Sequence, residues 1–315
     1  MMTKDTTREY KLLTPHPAEQ KLPEDARLGA VHLDVTDGEN AKVFWTQYIG
    51  LTLLSESADR IELGVDGEPM IVLYPGAESP VVRRRNGLYH VAIHVPSQKE
   101  LARLSARLFR LNWQNSPTDH AETMATYTND PDGNGIEITF ETPERGSLAR
   151  GEADYAAVMA DGTIQGGTEA LDIDMLMSAL DDNDDLMSPL PSGTRIGHVH
   201  LHVNDIVAAR DFYINQLGFG DMRWFESFRM SDFSLATSFV PHAIAINTWN
   251  GTTAQPRPEG TAGLREWQLF VGDDAAITAL SERLSTAGTV HQVEDNVLRV
   301  LDPAGNPLTV RVDAQ

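Results

Sequence analysis

The chain has 315 residues, 41% of them hydrophobic and 7% aromatic, a composition typical of globular proteins and long enough for two cores of ordinary size. Its 25 basic and 46 acidic residues give a formal charge of −21, which argues against nucleic acid or anionic membrane as partners and is compatible with a neutral or cationic small ligand. Cysteine is absent, which excludes disulfides, thiolate metal sites and cysteine nucleophiles. The first stretch, "MMTKDTTREYKLLTPHPAEQ", lacks the apolar core of a secretory signal, and no run approaches the roughly 18 apolar residues of a membrane span. The expectation is a cytoplasmic protein with an N-terminal arm over residues 1–27.

Four segments then open with an apolar-alternating strand: "LGAVHLDV" (28–35), "GLYHVAIHV" (87–95), "IGHVHLHV" (196–203) and "GLREWQLFV" (263–271). Each leads into a helical pattern. "ENAKVFWTQYIGL" and "DIVAARDFYINQLGF" share an aromatic pair followed by Gly, which predicts a buried face and a C-terminal stop. "SQKELARLSARLF" and "DDAAITALSERLSTAG" carry Ser or Asp caps. Short β-like runs bounded by turns close each unit. The predicted architecture is α+β, built from four βαβββ modules at about 29–75, 87–140, 196–250 and 263–313, paired into two cupped mixed sheets. Sequence order suggests an N-terminal domain (28–145) with modules one and two, and a C-terminal domain (194–315) with modules three and four. Residues 146–193, rich in Gly and acid, read as a linker with one short helix near "EALDIDMLMSAL" and an acidic run, "DDNDD", that suits a solvated loop better than a cation.

The turn "DPDGN" (130–134) recurs as "DPAGN" (302–306), but Glu137 of the first copy is Thr309 in the second. Residues two apart on a strand share a face. In "IGHVHLHV" that rule puts His198, His200 and His202 together, and in "GLYHVAIHV" it puts His90, Ala92 and His94 together. A lone His on such a face is usually a satisfied structural group. Two modules with His at one aligned position, His90 and His198, and a mid-strand carboxylate at Glu137 point instead to a metal, because two neutral imidazoles and one carboxylate leave open positions on an ion such as non-haem Fe(II). Ala30 and Glu266 occupy the aligned positions in modules one and four, where Thr309 also replaces Glu137. His32 aligns with His200. His32, His94, His200 and His202 read as pocket-lining or structural groups, and Phe44, Trp45, Phe212 and Tyr213 as core.

The motifs "GLYHVAI", "DHAETMATYTNDPDGNGIE", "IGHVHLHVNDI" with "FYINQLGF", and "HAIAINTW" together resemble the vicinal oxygen chelate superfamily of glyoxalases, bleomycin resistance proteins and extradiol dioxygenases. Within it the likeness is to extradiol ring-cleaving enzymes of the Bacillus catechol-2,3-dioxygenase type, over nearly the whole chain after residue 27. The resemblance implies Fe(II), with Mn(II) suited by the same ligands, bound by His90, His198 and Glu137. It implies cleavage of a small aromatic diol with O2, and leaves room for a homo-oligomer. It places an acid–base His at His242, a hydrogen-bonding Tyr at Tyr127, and an upstream His at His120, whose spacing is about two residues off the family pattern. Each has an ordinary alternative: a satisfied loop residue for His242, a strand aromatic for Tyr127, an exposed loop residue for His120. Because module four lacks ligands, modules two and three are expected to pair, with one and four as a metal-free mate, whereas many relatives form the site from modules three and four.

Two other readings stay open. A glyoxalase-like lyase or isomerase would, by the resemblance, need a second carboxylate in "HAIAINTW", which has none. A metal-free binding protein of the same fold would need no His–His–Glu set.

Overall fold

In the computed structural model of the chain, described for residues 11–12, 18–19, 21–150, 155–236 and 242–313, the strand and helix patterns become four successive βαβββ units. Helix Gln98–Arg110 starts at Ser97, whose hydroxyl accepts from the Glu100 amide, and helix Asp274–Thr286 starts at Asp273, whose carboxylate accepts from the Ala276 amide. The other two helices, Gly38–Val43 and Ile206–Asp211, each widen into a π-helical turn, Phe44–Ile49 and Phe212–Leu217. Both end at a left-handed glycine, Gly50 (φ 96°) and Gly218 (φ 95°), a conformation that other residues adopt at a cost. The aromatic pairs before those glycines are buried in the core.

The fold is α+β, with most strands in two large mixed sheets. The nine-stranded sheet runs Glu169–Ala170, Asn115–Asp119, Thr123–Asn129, Gly135–Glu141, Gly87–His94, Arg195–His202, Ile244–Asn247, Met230–Ser234, Gly220–Phe225. Modules two and three therefore share one sheet, joined where Gly87–His94 pairs antiparallel with Arg195–His202. The eight-stranded sheet joins modules four and one through Gly263–Val271 and Arg27–Val35. Each sheet thus draws one module from each half of the sequence.

The repeated turns are superimposable in their bonding. Asp130 accepts from the amides of Asp132 and Asn134 and from the Asn134 side chain, and Asp302 accepts the same three bonds from Ala304 and Asn306. These side chains pin the turn that launches each module's last strand. The registers also match: Ala92 faces Glu137 in one sheet as Gln268 faces Thr309 in the other. Gly135, at the start of the Glu137 strand, has no room for a side chain, since a Cβ there would sit 1.9 Å from the Tyr89 carbonyl oxygen. That close approach keeps the strands of His90 and Glu137 in contact.

The segment 146–193, expected to be a linker, carries structure of its own. Strands Gly146–Arg150, Tyr155–Met159 and Ile164–Gln165 form a small antiparallel sheet with Lys11–Leu12. Ala149, Ala156 and Ala157 are buried in it, and such short, alanine-rich strands lack the bulky alternation that marks longer ones. The short helix is Ile173–Met177. In the acidic run, Asp181 and Asp184 bind Lys99 at 2.7 and 2.9 Å, and Asp185 caps the Ser188 turn. The expected arm, residues 1–27, falls largely outside the described residues.

In the module one–four sheet, the positions equivalent to His90 and Glu137 hold Glu266 and Thr309, which hydrogen-bond each other at 2.7 Å. His32 is buried beside them, 3.1 Å from the Tyr74 hydroxyl and 3.5 Å from Glu266. Burial pushes His32 down to about 4, against the pull of Glu266. The unfolded chain, with an ordinary value near 6.5, takes up a proton in that window that the folded chain refuses. Stability should therefore fall as pH drops from about 6.5 to about 4 and level off below. Thermal melts of wild type and His32→Gln at matched metal loading should show the variant losing less Tm over that window. Parallel curves would rule out His32 as a source of the pH dependence.

Candidate metal and active site

His90, Glu137 and His198 come from three adjacent strands, Gly87–His94, Gly135–Glu141 and Arg195–His202, and all three side chains are buried. Their donor atoms form an equilateral set: His90 Nε2 to His198 Nε2, His90 Nε2 to Glu137 Oε2, and His198 Nε2 to Glu137 Oε2 are each 3.0 Å. Hydrogen bonding alone does not satisfy this triangle. If both imidazoles donate to the carboxylate, two N–H groups face each other along the third edge; if one donates to the other, one edge to Glu137 has no proton. A single cation satisfies all three edges. Bonds of about 2.1 Å meeting at right angles put donors about 3.0 Å apart, against about 3.4 Å for a tetrahedral set, so the donors fit one face of an octahedral ion. Burial pushes His90 down, partly offset by Glu137, so it stands as a neutral imidazole. Although burial opposes it, Glu137 is held well below the usual carboxylate range by His198 and His90. These are the protonation states that ligation requires.

Behind His198 lies a relay. Glu141 accepts from His94 Nδ1 at 2.7 Å, which leaves His94 Nε2 without a proton, 3.3 Å from His198 Nδ1. His198 Nδ1–H can then donate to His94, and its Nε2 lone pair is left facing the triangle. Burial pushes His94 down to about 4, with the Glu141 bond opposing it. His94, expected to be a pocket-lining or structural group, thus fixes the tautomer of a candidate ligand. Of the remaining histidines on these strands, His200 accepts from Asn247 Nδ2 at 2.8 Å, and His202 donates through Nδ1 to Asn247 Oδ1 at 2.8 Å.

His242 lies just before strand Ile244–Asn247 rather than within it, with its ring centroid 4.4 Å from that of His198. Its Nδ1 is 3.0 Å from Asp232 Oδ2 and 3.3 Å from Arg223 Nη2. A guanidinium only donates, so the shorter contact to the carboxylate fixes a proton on Nδ1. The buried Nε2 has no hydrogen-bond partner among the described residues and is left with a bare lone pair. Burial, reinforced by neighbouring His198 and opposed by Asp232, pushes His242 down to about 4. Burial would raise Asp232, but Arg223 and His242 overcome it and hold the carboxyl down to about 2. Each nitrogen of Arg223 is engaged: Nε and Nη2 bind Asp232 at 2.8 and 2.7 Å, and Nη1 binds Glu122 at 2.7 Å. Glu122 in turn accepts from the Leu148 amide at 2.8 Å, which ties the 146–170 segment to the site.

His120 Nδ1 must donate to the Gly167 carbonyl at 3.0 Å, leaving Nε2 to accept from the Tyr127 hydroxyl at 2.9 Å. Burial, and then the charge of Glu137, raise Tyr127 well above its ordinary value, so it remains a phenol. His90, Glu137, His198, His242, Tyr127 and His120 all line one cavity of about 680 Å³. The six residues singled out in the sequence are thus brought together. Asp232, Arg223 and Glu122 were not singled out, nor were the aromatic wall residues Phe225, Phe228 and Trp249. Asp232 carried a usable signal, a carboxylate in the middle of "MSDFS", the same kind of mark that singled out Glu137.

Two βαβββ modules sharing a sheet, with a buried His–His–carboxylate cluster at their junction, define the vicinal oxygen chelate class of fold. A model of the Glyoxalase/Bleomycin resistance protein/Dioxygenase superfamily matches residues 27–138. The chain is 31% identical over 283 residues to catechol-2,3-dioxygenase of Bacillus subtilis (strain 168), covering 89% of this chain and 95% of that one. It belongs to that superfamily. Among solved structures, a Bacillus subtilis protein described as a candidate dioxygenase superposes with a TM-score of 0.65 at 14% identity, over 94% of this chain and 87% of that one. Glyoxalase I of Zea mays superposes with a TM-score of 0.56 at 14% identity, over 91% and 92%. At such identities these two establish the fold alone. Among the described residues, no helix is long and apolar enough to cross a membrane.

Proposed function

We propose that this chain is an extradiol dioxygenase that opens the ring of a catechol with O2, using Fe(II), or Mn(II) on the same donors, held by His90, His198 and Glu137. The observation that carries this reading is the equal-sided donor triangle opening onto a large cavity next to a base with a free lone pair. When bound, the ion would hold the two diol oxygens and O2 together and stabilise the negative charge that develops on them. His242 Nε2 accepts a proton from a substrate hydroxyl, and the imidazolium formed is stabilised by Asp232. The lowered pKa of His242 keeps Nε2 unprotonated and ready to accept, and the imidazolium, once formed, can return the same proton to an oxygen of the product. Tyr127, whose proton is donated to His120, is left to accept from a substrate hydroxyl, which limits how the ring can turn. The relative named catechol-2,3-dioxygenase supports the reaction class.

A glyoxalase-like reading lacks its second carboxylate ligand, since strand Ile244–Asn247 holds no acid. Anaerobic loading with Fe(II), followed by catechol and air, should consume one O2 per catechol and give a yellow ring-opened product. Zinc or nickel bound with no oxygen uptake would replace this reading with the lyase one, and failure to bind any divalent metal would replace it with a binding protein.

A further inference from the structure

We propose that the substrate is an uncharged catechol bearing an apolar substituent, and that catechols carrying a carboxylate are discriminated against; this rests on the extradiol reading above. Three features of the cavity carry the inference. The first is size. Its volume is about 680 Å³, whereas a cavity of roughly 150 Å³ is enough to hold a benzene ring. A bare catechol would leave most of the space to water. The second is the wall. Away from the His–His–Glu cluster, Leu148, Tyr155, Phe225, Phe228, Met230 and Trp249 form an apolar part of the cavity wall, beside polar groups of strands Asn115–Asp119 and Thr123–Asn129. Tyr155 and Phe225 pack edge to face with ring centroids 4.3 Å apart, and the Tyr155 hydroxyl donates to the Trp224 carbonyl at 2.6 Å. That bond takes the one proton Tyr155 could have donated to a ligand and fixes the ring, whose face is an apolar surface. Trp249 is fixed likewise, its indole N–H donating to the Phe228 carbonyl at 2.6 Å. Phe228 lines the cavity yet is 58% exposed, an aromatic face more than half open to solvent.

The third feature is charge. Among the described residues lining the cavity, Arg223 is the only Lys or Arg, and each of its three nitrogens already binds Asp232 or Glu122, so its charge is more than matched by carboxylates of the chain. A divalent cation would be needed to balance Glu137 and the diol oxygens. An extra carboxylate would therefore enter a buried site with no cation to receive it, among three carboxylates already present, Glu122, Glu137 and Asp232. An apolar group would instead be removed from water against rings that are already fixed in place. Burying a phenyl substituent is worth on the order of 10- to 100-fold in affinity.

The test compares phenyl-substituted catechol, catechol and dihydroxybenzoate on the Fe(II)-loaded protein. Binding is followed anaerobically through Trp fluorescence, and kcat/KM through oxygen uptake. The phenyl compound should bind and react at least 10-fold better than catechol, and dihydroxybenzoate should be the poorest of the three. Phe228→Ala should weaken the phenyl compound severalfold more than catechol. Dihydroxybenzoate matching catechol, or the phenyl compound gaining nothing in binding, would overturn the inference. If none of the three consumes oxygen, the extradiol reading fails, while the anaerobic binding order still decides the ligand class.

Discussion

His198→Ala should reduce Fe(II) affinity by at least about 100-fold and abolish oxygen uptake with catechol. The expectation follows from the triangle. Removing one corner leaves His90 and Glu137 bonded to each other at 3.0 Å, a closed pair with no open face for an ion. Glu137→Gln should be nearly as damaging, because it removes the only negative charge among the three donors and turns an acceptor into a mixed donor and acceptor. His94→Ala makes a graded comparison. It leaves all three donors in place but releases His198 Nδ1 from its acceptor 3.3 Å away. Loss of such outer hydrogen bonds typically costs 10- to 100-fold in metal affinity, so this variant should fall between wild type and His198→Ala. Metal content after dialysis against buffered free Fe(II), read beside oxygen uptake, measures both quantities. A His198→Ala protein that kept one equivalent of metal and its turnover would remove His198 from the ligand set.

The architecture was legible because its causes are local and repeated. Period-two alternation revealed the faces carrying His90 and His198, and the two Asp-Pro-x-Gly-Asn turns revealed the last strands. Their contrast, Glu137 against Thr309, identified which modules hold polar groups, and from that the pairing of modules two and three followed. The structure joins those modules through the His-bearing strands themselves. What the sequence did not disclose depends on convergence. Glu122 and Arg223 are 101 positions apart and meet only because a loop of module two reaches the outermost strand of module three. The relay from Glu141 through His94 to His198 crosses the module junction in the same way. The segment 146–193 reads as a linker because it is rich in glycine and acid and its strands are short, yet Leu148 and Tyr155 form part of the cavity wall. A cavity wall built from one or two residues of many elements leaves no periodic trace in any of them.

His242→Gln should cut kcat by on the order of 10²- to 10⁴-fold while leaving bound metal at wild-type levels, since a general acid–base group contributes in that range and His242 is not a donor to the triangle. The role of Asp232 can then be separated from that of the imidazole. Its Oδ2 receives Arg223 Nε and Nη2 as well as His242 Nδ1, at 2.8, 2.7 and 3.0 Å. Asp232→Ala removes the acceptor, frees the ring to turn or to carry its proton on Nε2, and leaves Arg223 with Glu122 alone. It should lose much of the kcat that His242→Gln loses. Breaking a buried pair typically costs about 3–5 kcal/mol, so this variant should also melt earlier, and its turnover must be normalised to folded, metal-loaded protein. Asp232→Asn is the informative control. Three donors converge on one oxygen, so the amide should turn its oxygen toward them and keep the His242 tautomer, losing only the charge that stabilises the imidazolium. Its kcat should recover to within about 10- to 100-fold of wild type, above that of Asp232→Ala. Equal kcat values for the Ala and Asn variants, per folded and metal-loaded molecule, would mean that Asp232 does not act by fixing the tautomer. An His242→Gln enzyme with near-normal kcat would mean that the proton leaves the substrate by another route, and Tyr127 with His120 would be the first place to look for it.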